Sequence, residues 1–129
     1  MLIEVYFQQI HNLIESSEIM ELFNLDCEKR GLYEGFIRGK INFKDNSLLH
    51  LREFVYVEIT IDRKMYSYQY VNAKNNLIFR YDNTEHHRKL NLSNFPHHKH
   101  DGSEDNVVIS DAPFLADVLK EIERIQRSK

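Results

Sequence analysis

The sequence predicts a single α+β domain over residues 1–129: an antiparallel meander of four to six strands with N- and C-terminal helices packed on it. Three observations predict it. Apolar residues recur at helical spacing at both ends of the chain. Through the middle they alternate with polar residues. The gaps between alternating runs are two to five residues, which are hairpin lengths and too short for parallel crossovers.

Residues 2–15 place Ile3, Tyr6, Phe7, Ile10, Leu13 and Ile14 on one stripe and predict the first helix. From Met20 to Glu28, Phe23, Leu25 and Cys27 alternate with Leu22, Asn24 and Asp26, which suits a strand, and Lys29-Arg30-Gly31 reads as a turn. Tyr33, Ile37, Ile41 and Phe43 share one parity, and Asp45-Asn46 supplies turn chemistry. Leu49, Leu51, Val55, Val57, Ile59 and Ile61 share the next parity, with Glu53 among them. Asp62-Arg63 is expected to turn the chain again. Tyr66, Tyr68 and Tyr70 then line one strand face, residues 72–76 form a loop, and residues 77–82 form a short strand. Residues 83–111 show little periodicity, with Val107–Ile109 as a brief extra strand. A long irregular segment inside a compact domain is usually functional or disordered. Phe114, Leu115, Val118, Leu119, Ile122 and Ile125 form the buried stripe of a closing helix. Ser110 or Asp111 is expected to cap it, with Pro113 in its first turn.

A composition of 42% hydrophobic and 29% charged residues excludes a disordered or collagen-like chain. The one cysteine, Cys27, excludes an internal disulfide framework and cysteine-based structural zinc, and reads as a core or edge residue. The start lacks the basic end and cleavage site of a leader, and no run approaches the ~18 apolar residues of a membrane span. A soluble, cytoplasmic protein with no membrane partner is expected. The net charge of −3 argues against wrapping nucleic acid by bulk electrostatics. The charge is unevenly spread, however. Residues 80–100 carry Arg80, Arg88, Lys89 and Lys99 against Asp82 and Glu85.

That segment also holds five of the seven histidines, between His86 and His100, where an even spread would place fewer than one. Several chemistries suit it. His98 and His100 share a side of an extended chain and are potential metal ligands, although no HExxH helix or cysteine accompanies them. A divalent ion is therefore one reading, and no cofactor is required by the others. Metal-free phosphodiester cleavage is the second. It needs a base for the ribose 2′-hydroxyl, an acid for the leaving oxygen and a cation for the phosphate, and histidine serves either proton transfer near neutral pH. On this reading His98 or His100, with His97 as a further candidate, is the base or acid. Lys99 and Arg80 hold phosphate. Tyr66, Tyr68, Tyr70 or Tyr81 could stack a base or orient the phosphate, and Tyr68 is assigned the assisting role. Glu53 or Asp82 orients a histidine, and Asp82, Asn83, His86, His87 and Arg88 contact the substrate. Anion binding without chemistry uses the same residues, and solvated loop histidines are the remaining reading. Glu53 lies on an apolar parity, where a carboxylate is costly unless paired, so structural support is its favoured role.

The blocks GFIRGKINFKDNSLLHLREFV, MYSYQYVNAKNNLIFRYDN and FPHHKH, followed by the closing helix, resemble the TumE-type toxins of bacterial and archaeal toxin–antitoxin systems over about residues 30–122. The YSYxY, FRYDN–HH and FPHHKH blocks are the most specific. Thr84-Glu85 stands where that pattern often has a small residue and proline, and Arg88-Lys89 is an extra step. The resemblance implies a small cytoplasmic toxin neutralised by a helix-turn-helix antitoxin. It groups His97, His98, Lys99 and His100 in one motif and His86 and His87 in another, and leaves out His11 and His50. The helix-then-meander order is similar to that of small RNase toxins, a fold-level analogy. The expected activity is that of a histidine-dependent, metal-independent endoribonuclease acting on RNA. The competing expectations are a non-enzymatic module binding an anion, nucleic acid or the antitoxin, and a metal-dependent phosphodiesterase. A transferase ranks last, because none of the four glycines lies in a nucleotide-cradling motif. A homo-oligomer is compatible with the sequence.

Overall fold

The computed structural model describes residues 1–84, 92 and 94–128. Helix α1 (Ile3–Glu15) precedes five long strands: β1 (Met20–Lys29), β2 (Glu34–Phe43), β3 (Leu48–Tyr56), β4 (Asp62–Val71) and β5 (Leu77–Asp82). Two short strands, β6 (His98–Asp101) and β7 (Val107–Ile109), and helix α2 (Leu115–Arg127) complete the chain. The seven strands form one sheet in sequential order, every neighbouring pair antiparallel. The α+β meander is as expected, with seven strands rather than four to six. Val107–Ile109 forms a strand as expected, and the unexpected one is β6, whose four residues are too short to display the alternation that marks the others.

Three local expectations are corrected. Asp62 and Arg63 open β4 instead of turning the chain. The reversal comes earlier, at residues 57–61, where Ile59 is 90% exposed and so leaves the parity run. Helix α2 begins after Pro113, and neither Ser110 nor Asp111 caps it. Instead the Asp117 carboxylate accepts the Phe114 N–H at 3.0 Å, closing the first turn from within. Phe114, expected in the buried stripe, is 43% exposed.

Both helices cover the same sheet face. Ile3, Tyr6, Ile10 and Ile14 of α1 and Leu115, Val118, Leu119 and Ile122 of α2 join one core with Ile37, Ile41, Leu49, Leu51, Val55 and the tyrosine row. Gly35 lets α1 approach the sheet closely: a Cβ there would stand 2.5 Å from the Phe7 ring and 2.8 Å from Ile3 Cγ1. Gly35→Ala is expected to destabilise the protein by about 1–3 kcal/mol, read as a lower denaturation midpoint.

The register carries an irregularity between Phe54 and Val55, so that Arg63 faces Val55 while Met65 faces Phe54. One extra residue in a strand reverses which face its neighbours use. Arg63 therefore joins Tyr66 and Tyr68 on the helix side. No helix among the described residues is long and apolar enough to cross a membrane.

Candidate active site

The first residues of β4, the end of β5 and the chain before β6 and α2 enclose an open cleft of about 580 Å³. Arg63, Lys64, Tyr66, Asn83, His97 and Phe114 are among the residues lining it. Asn83 fastens β5 to β4: its Oδ1 accepts the Tyr66 N–H at 3.0 Å and its Nδ2 donates to the Lys64 carbonyl at 3.2 Å. A turn delivers His97. Asn94 takes a left-handed conformation (φ 63°) that asparagine tolerates, its carbonyl accepts the His97 N–H at 3.0 Å, and its side chain donates to the Ser110 carbonyl at 2.9 Å.

The His97 ring stacks on Tyr66 with centroids 5.7 Å apart and planes 18° from parallel. His97 Nδ1 lies 2.8 Å from Tyr66 Oη. Burial lowers the basicity of His97, and the nearby charges of Arg63 and His98 act in the same direction. Burial pushes the Tyr66 phenol up to about 12, so it stays protonated at neutral pH.

Arg63 is held from all sides. Its guanidinium lies 4.1 Å from the centroid of Tyr66 and 4.0 Å from that of Phe114. It donates to the carbonyls of Pro113 at 2.6 Å and Ala112 at 2.8 Å, and to Tyr68 Oη at 3.1 Å. Ala112 itself has φ 55°, a conformation costly for a residue with a Cβ. The arginine bonds hold that turn closed. Behind Arg63, Tyr68 donates to Glu53 Oε2 at 2.6 Å, and Tyr6 of α1 donates to Glu53 Oε1. Burial raises the Glu53 carboxyl, while the two phenol bonds and the Arg63 charge oppose the shift. A chain of buried groups thus runs from α1 to the cation of the cleft.

A second polar cluster occupies the opposite sheet face. Strand pairing sets Asp82 beside His98 and Arg80 beside His100. His98 Nε2 lies 2.8 Å from Asp82 Oδ1, and His100 Nε2 lies 3.8 Å from Asp82 Oδ2. Each histidine turns Nδ1 to a backbone carbonyl, that of Pro96 at 2.9 Å and that of Glu104 at 2.8 Å. Asp82, His98 and His100 offer three ligand atoms within 4.8 Å of one another, the right types for a divalent ion. Arg80 already meets their charge: Nε donates to Asp82 at 3.0 Å, Nη2 sits 3.1 Å from His100 Nε2, and Nη1 bonds Glu104 at 2.5 Å. An ion would have to displace that guanidinium.

The Toxin TumE family profile matches residues 10–126. The chain belongs to the TumE toxin family. No curated protein and no solved structure matches it. Membership in a toxin family implies an antitoxin as partner.

Within this TumE chain, the residues singled out from sequence separate into two sets. His97, Asn83 and, behind them, Tyr68 and Glu53 belong to the cleft. His98, His100, Asp82 and Arg80 belong to the opposite face, where both histidines are no more than 2% exposed. Lys99 lies on the helix side, bonded to Glu121 of α2 at 3.1 Å and set 5.0 Å from the Tyr81 ring centroid. Lys99 and Arg80 therefore do not meet at one phosphate. Asp82 contacts a histidine; Glu53 holds two tyrosines instead. His86, His87 and Arg88 lie outside the described residues. Sequence reasoning misses Arg63 and Lys64. Their signal, two cations directly before a tyrosine row, is hidden when Asp62-Arg63 is read as a turn.

Proposed function

We propose that this TumE toxin is an endoribonuclease in which His97 is the general base. What carries the reading is one juxtaposition: an accessible imidazole of lowered basicity, braced by a phenol, beside a fixed guanidinium in an open cleft. In the tautomer whose Nδ1–H donates to Tyr66 Oη, Nε2 is unprotonated and is the atom that takes the 2′-hydroxyl proton. The 2′-oxygen attacks phosphorus, the bond to the 5′-oxygen breaks, water in the open cleft protonates the departing oxygen, and the His97 imidazolium returns its proton to the hydroxide that remains. The products are a 2′,3′-cyclic phosphate and a 5′-hydroxyl. Arg63 stabilises the charge that grows on phosphate, and Lys64 lies at the rim, where Asp62 holds its ammonium at 2.8 Å. His98, His100, Asp82 and Arg80 brace the strand that follows His97. Cytoplasmic RNA is the proposed target, and a helix-turn-helix protein the proposed antitoxin.

Incubating the purified protein with single-stranded RNA, with and without EDTA, across pH 5–8 tests this. Cleavage is expected to persist in EDTA and to leave cyclic phosphate ends. The active base is neutral imidazole, and a lowered pKa keeps it neutral to lower pH. The acid limb should therefore have its midpoint below the ordinary histidine value of about 6.5. Arg63→Met removes one of the charges that lowers His97, so residual activity should show that limb displaced upward. Cleavage lost in EDTA would replace this reading with a metal-dependent phosphodiesterase. RNA or antitoxin binding without cleavage would replace it with a binding module.

A further inference from the structure

The sheet face away from the helices carries a charge pattern that the fold does not need. Strand pairing sets Arg38 directly opposite Arg52 and Lys40 directly opposite His50. All four are exposed. Like charges directly opposite on one face are destabilising, so two consecutive rows of this kind work against the sheet. The described ion pairs of lysine and arginine use Lys29, Arg30, Lys64, Arg80, Lys99 and Arg127, and none includes Arg38, Lys40 or Arg52. The second row continues across the sheet from His50 to Gln69 to Arg80, and Arg80 Nη1 donates to Gln69 Oε1 at 3.2 Å. One row over, Phe36 pairs with Phe54, ring centroids 6.3 Å apart, and the Arg38 guanidinium stands 5.5 Å from the Phe36 ring. A concavity of about 460 Å³ opens beside Asn24, Asp26, Arg38, Lys40 and His50.

We infer that this face binds a single strand of RNA, with Arg38, Lys40 and Arg52 on its phosphates and Phe36 and Phe54 beside its bases. The inference rests on RNA being the target, and extends that reading from the cleft to a separate docking surface. An acidic polypeptide would satisfy the cations. It would leave unexplained the aromatic pair next to them, which suits base stacking on an open sheet. Asp26 stands directly opposite Arg38 on β1 and is the acidic residue of this surface. Among the described residues it forms no ion pair with Arg38, and Lys40 and Arg52 have no acidic residue opposite them in the sheet. His50, outside the histidine-rich motifs of the sequence, belongs to the surface by its pairing with Lys40.

The test uses the full-length protein and a fluorescein-labelled 2′-O-methyl oligouridylate 12-mer, which lacks the hydroxyl needed for cleavage. Binding is followed by polarisation against salt concentration. The Arg38→Gln/Lys40→Gln/Arg52→Gln variant should bind at least about tenfold more weakly, and its log–log salt slope should shrink by about 2, the value for three lost single-strand phosphate contacts. Its melting temperature should hold or rise, since like-charge pairs are relieved. It should cleave a uridylyl-adenosine dinucleotide, too short to span the surface, at the wild-type rate. Unchanged affinity and slope, or tighter binding of polyglutamate than of the oligonucleotide at this face, would overturn the inference. A fall in melting temperature would assign the cations to the fold and overturn it too. The dinucleotide arm reports the cleft alone, so failure there counts against the cleavage reading and not against the surface.

Discussion

On the proposed mechanism, replacing His97 with alanine should lower RNA cleavage by about 10²–10⁴-fold, the usual contribution of a positioned proton acceptor, and should relieve toxicity in a growth assay. The melting temperature should move little, because the ring is half-exposed at the edge of the cleft and its loss leaves no buried charge. His98→Ala gives the opposite profile. It strands the Asp82 carboxylate, only 3% exposed, without its imidazole neighbour, so its main effect is lost stability. Single-turnover cleavage and thermal denaturation measured together distinguish the two histidines, which are adjacent in sequence. Full activity in His97→Ala would remove the proposed mechanism.

Glu53→Ala should destabilise the fold more than Gly35→Ala does, by about 3–5 kcal/mol in chemical denaturation. The carboxylate is 1% exposed and accepts from both Tyr6 and Tyr68. Its removal leaves two phenols buried without an acceptor and opens a void among them. Glu53→Gln keeps the shape and one acceptor, and should cost far less. Its effect also depends on pH with a definite sign. Burial raises the folded-state carboxyl above its unfolded value, so the folded protein holds the proton more tightly. The stability this contributes is fully present below the unfolded pKa and is lost as pH rises through the raised one. The glutamine variant should therefore gain on the wild type as pH rises through the raised pKa. A constant difference across that range would contradict the burial argument.

Much of the fold is legible in the sequence because burial follows parity. Leu49, Leu51, Val55 and Val57 show the period of a half-buried strand, and all four lie in the core. The same parity marks Glu53 as a buried carboxylate. The site is harder to read for two physical reasons. Arg63 reaches the helix side only because the register slips near Val55, and strict alternation cannot show a slip. Its partners Ala112 and Pro113 lie some fifty residues away, so their carbonyls carry no local signal. The histidine cluster is spread over two places in the fold. Its division between faces depends on strand β6, four residues long, which points His98 and His100 to one side while His97, just before it, turns to the cleft.

The sequential strand order has a kinetic consequence. Every strand pairs with its neighbour along the chain, so most sheet contacts are closed by short loops, a topology that favours fast folding. Synthesis proceeds from the N-terminus, and the sheet can grow one hairpin at a time as it leaves the ribosome. The cleft cannot. Its imidazole waits for residue 97, and its guanidinium is clamped only when Ala112, Pro113 and Phe114 have emerged. A nascent toxin therefore carries most of its sheet before the cleft is complete, and a product truncated before α2 lacks the wall that holds Arg63 in place.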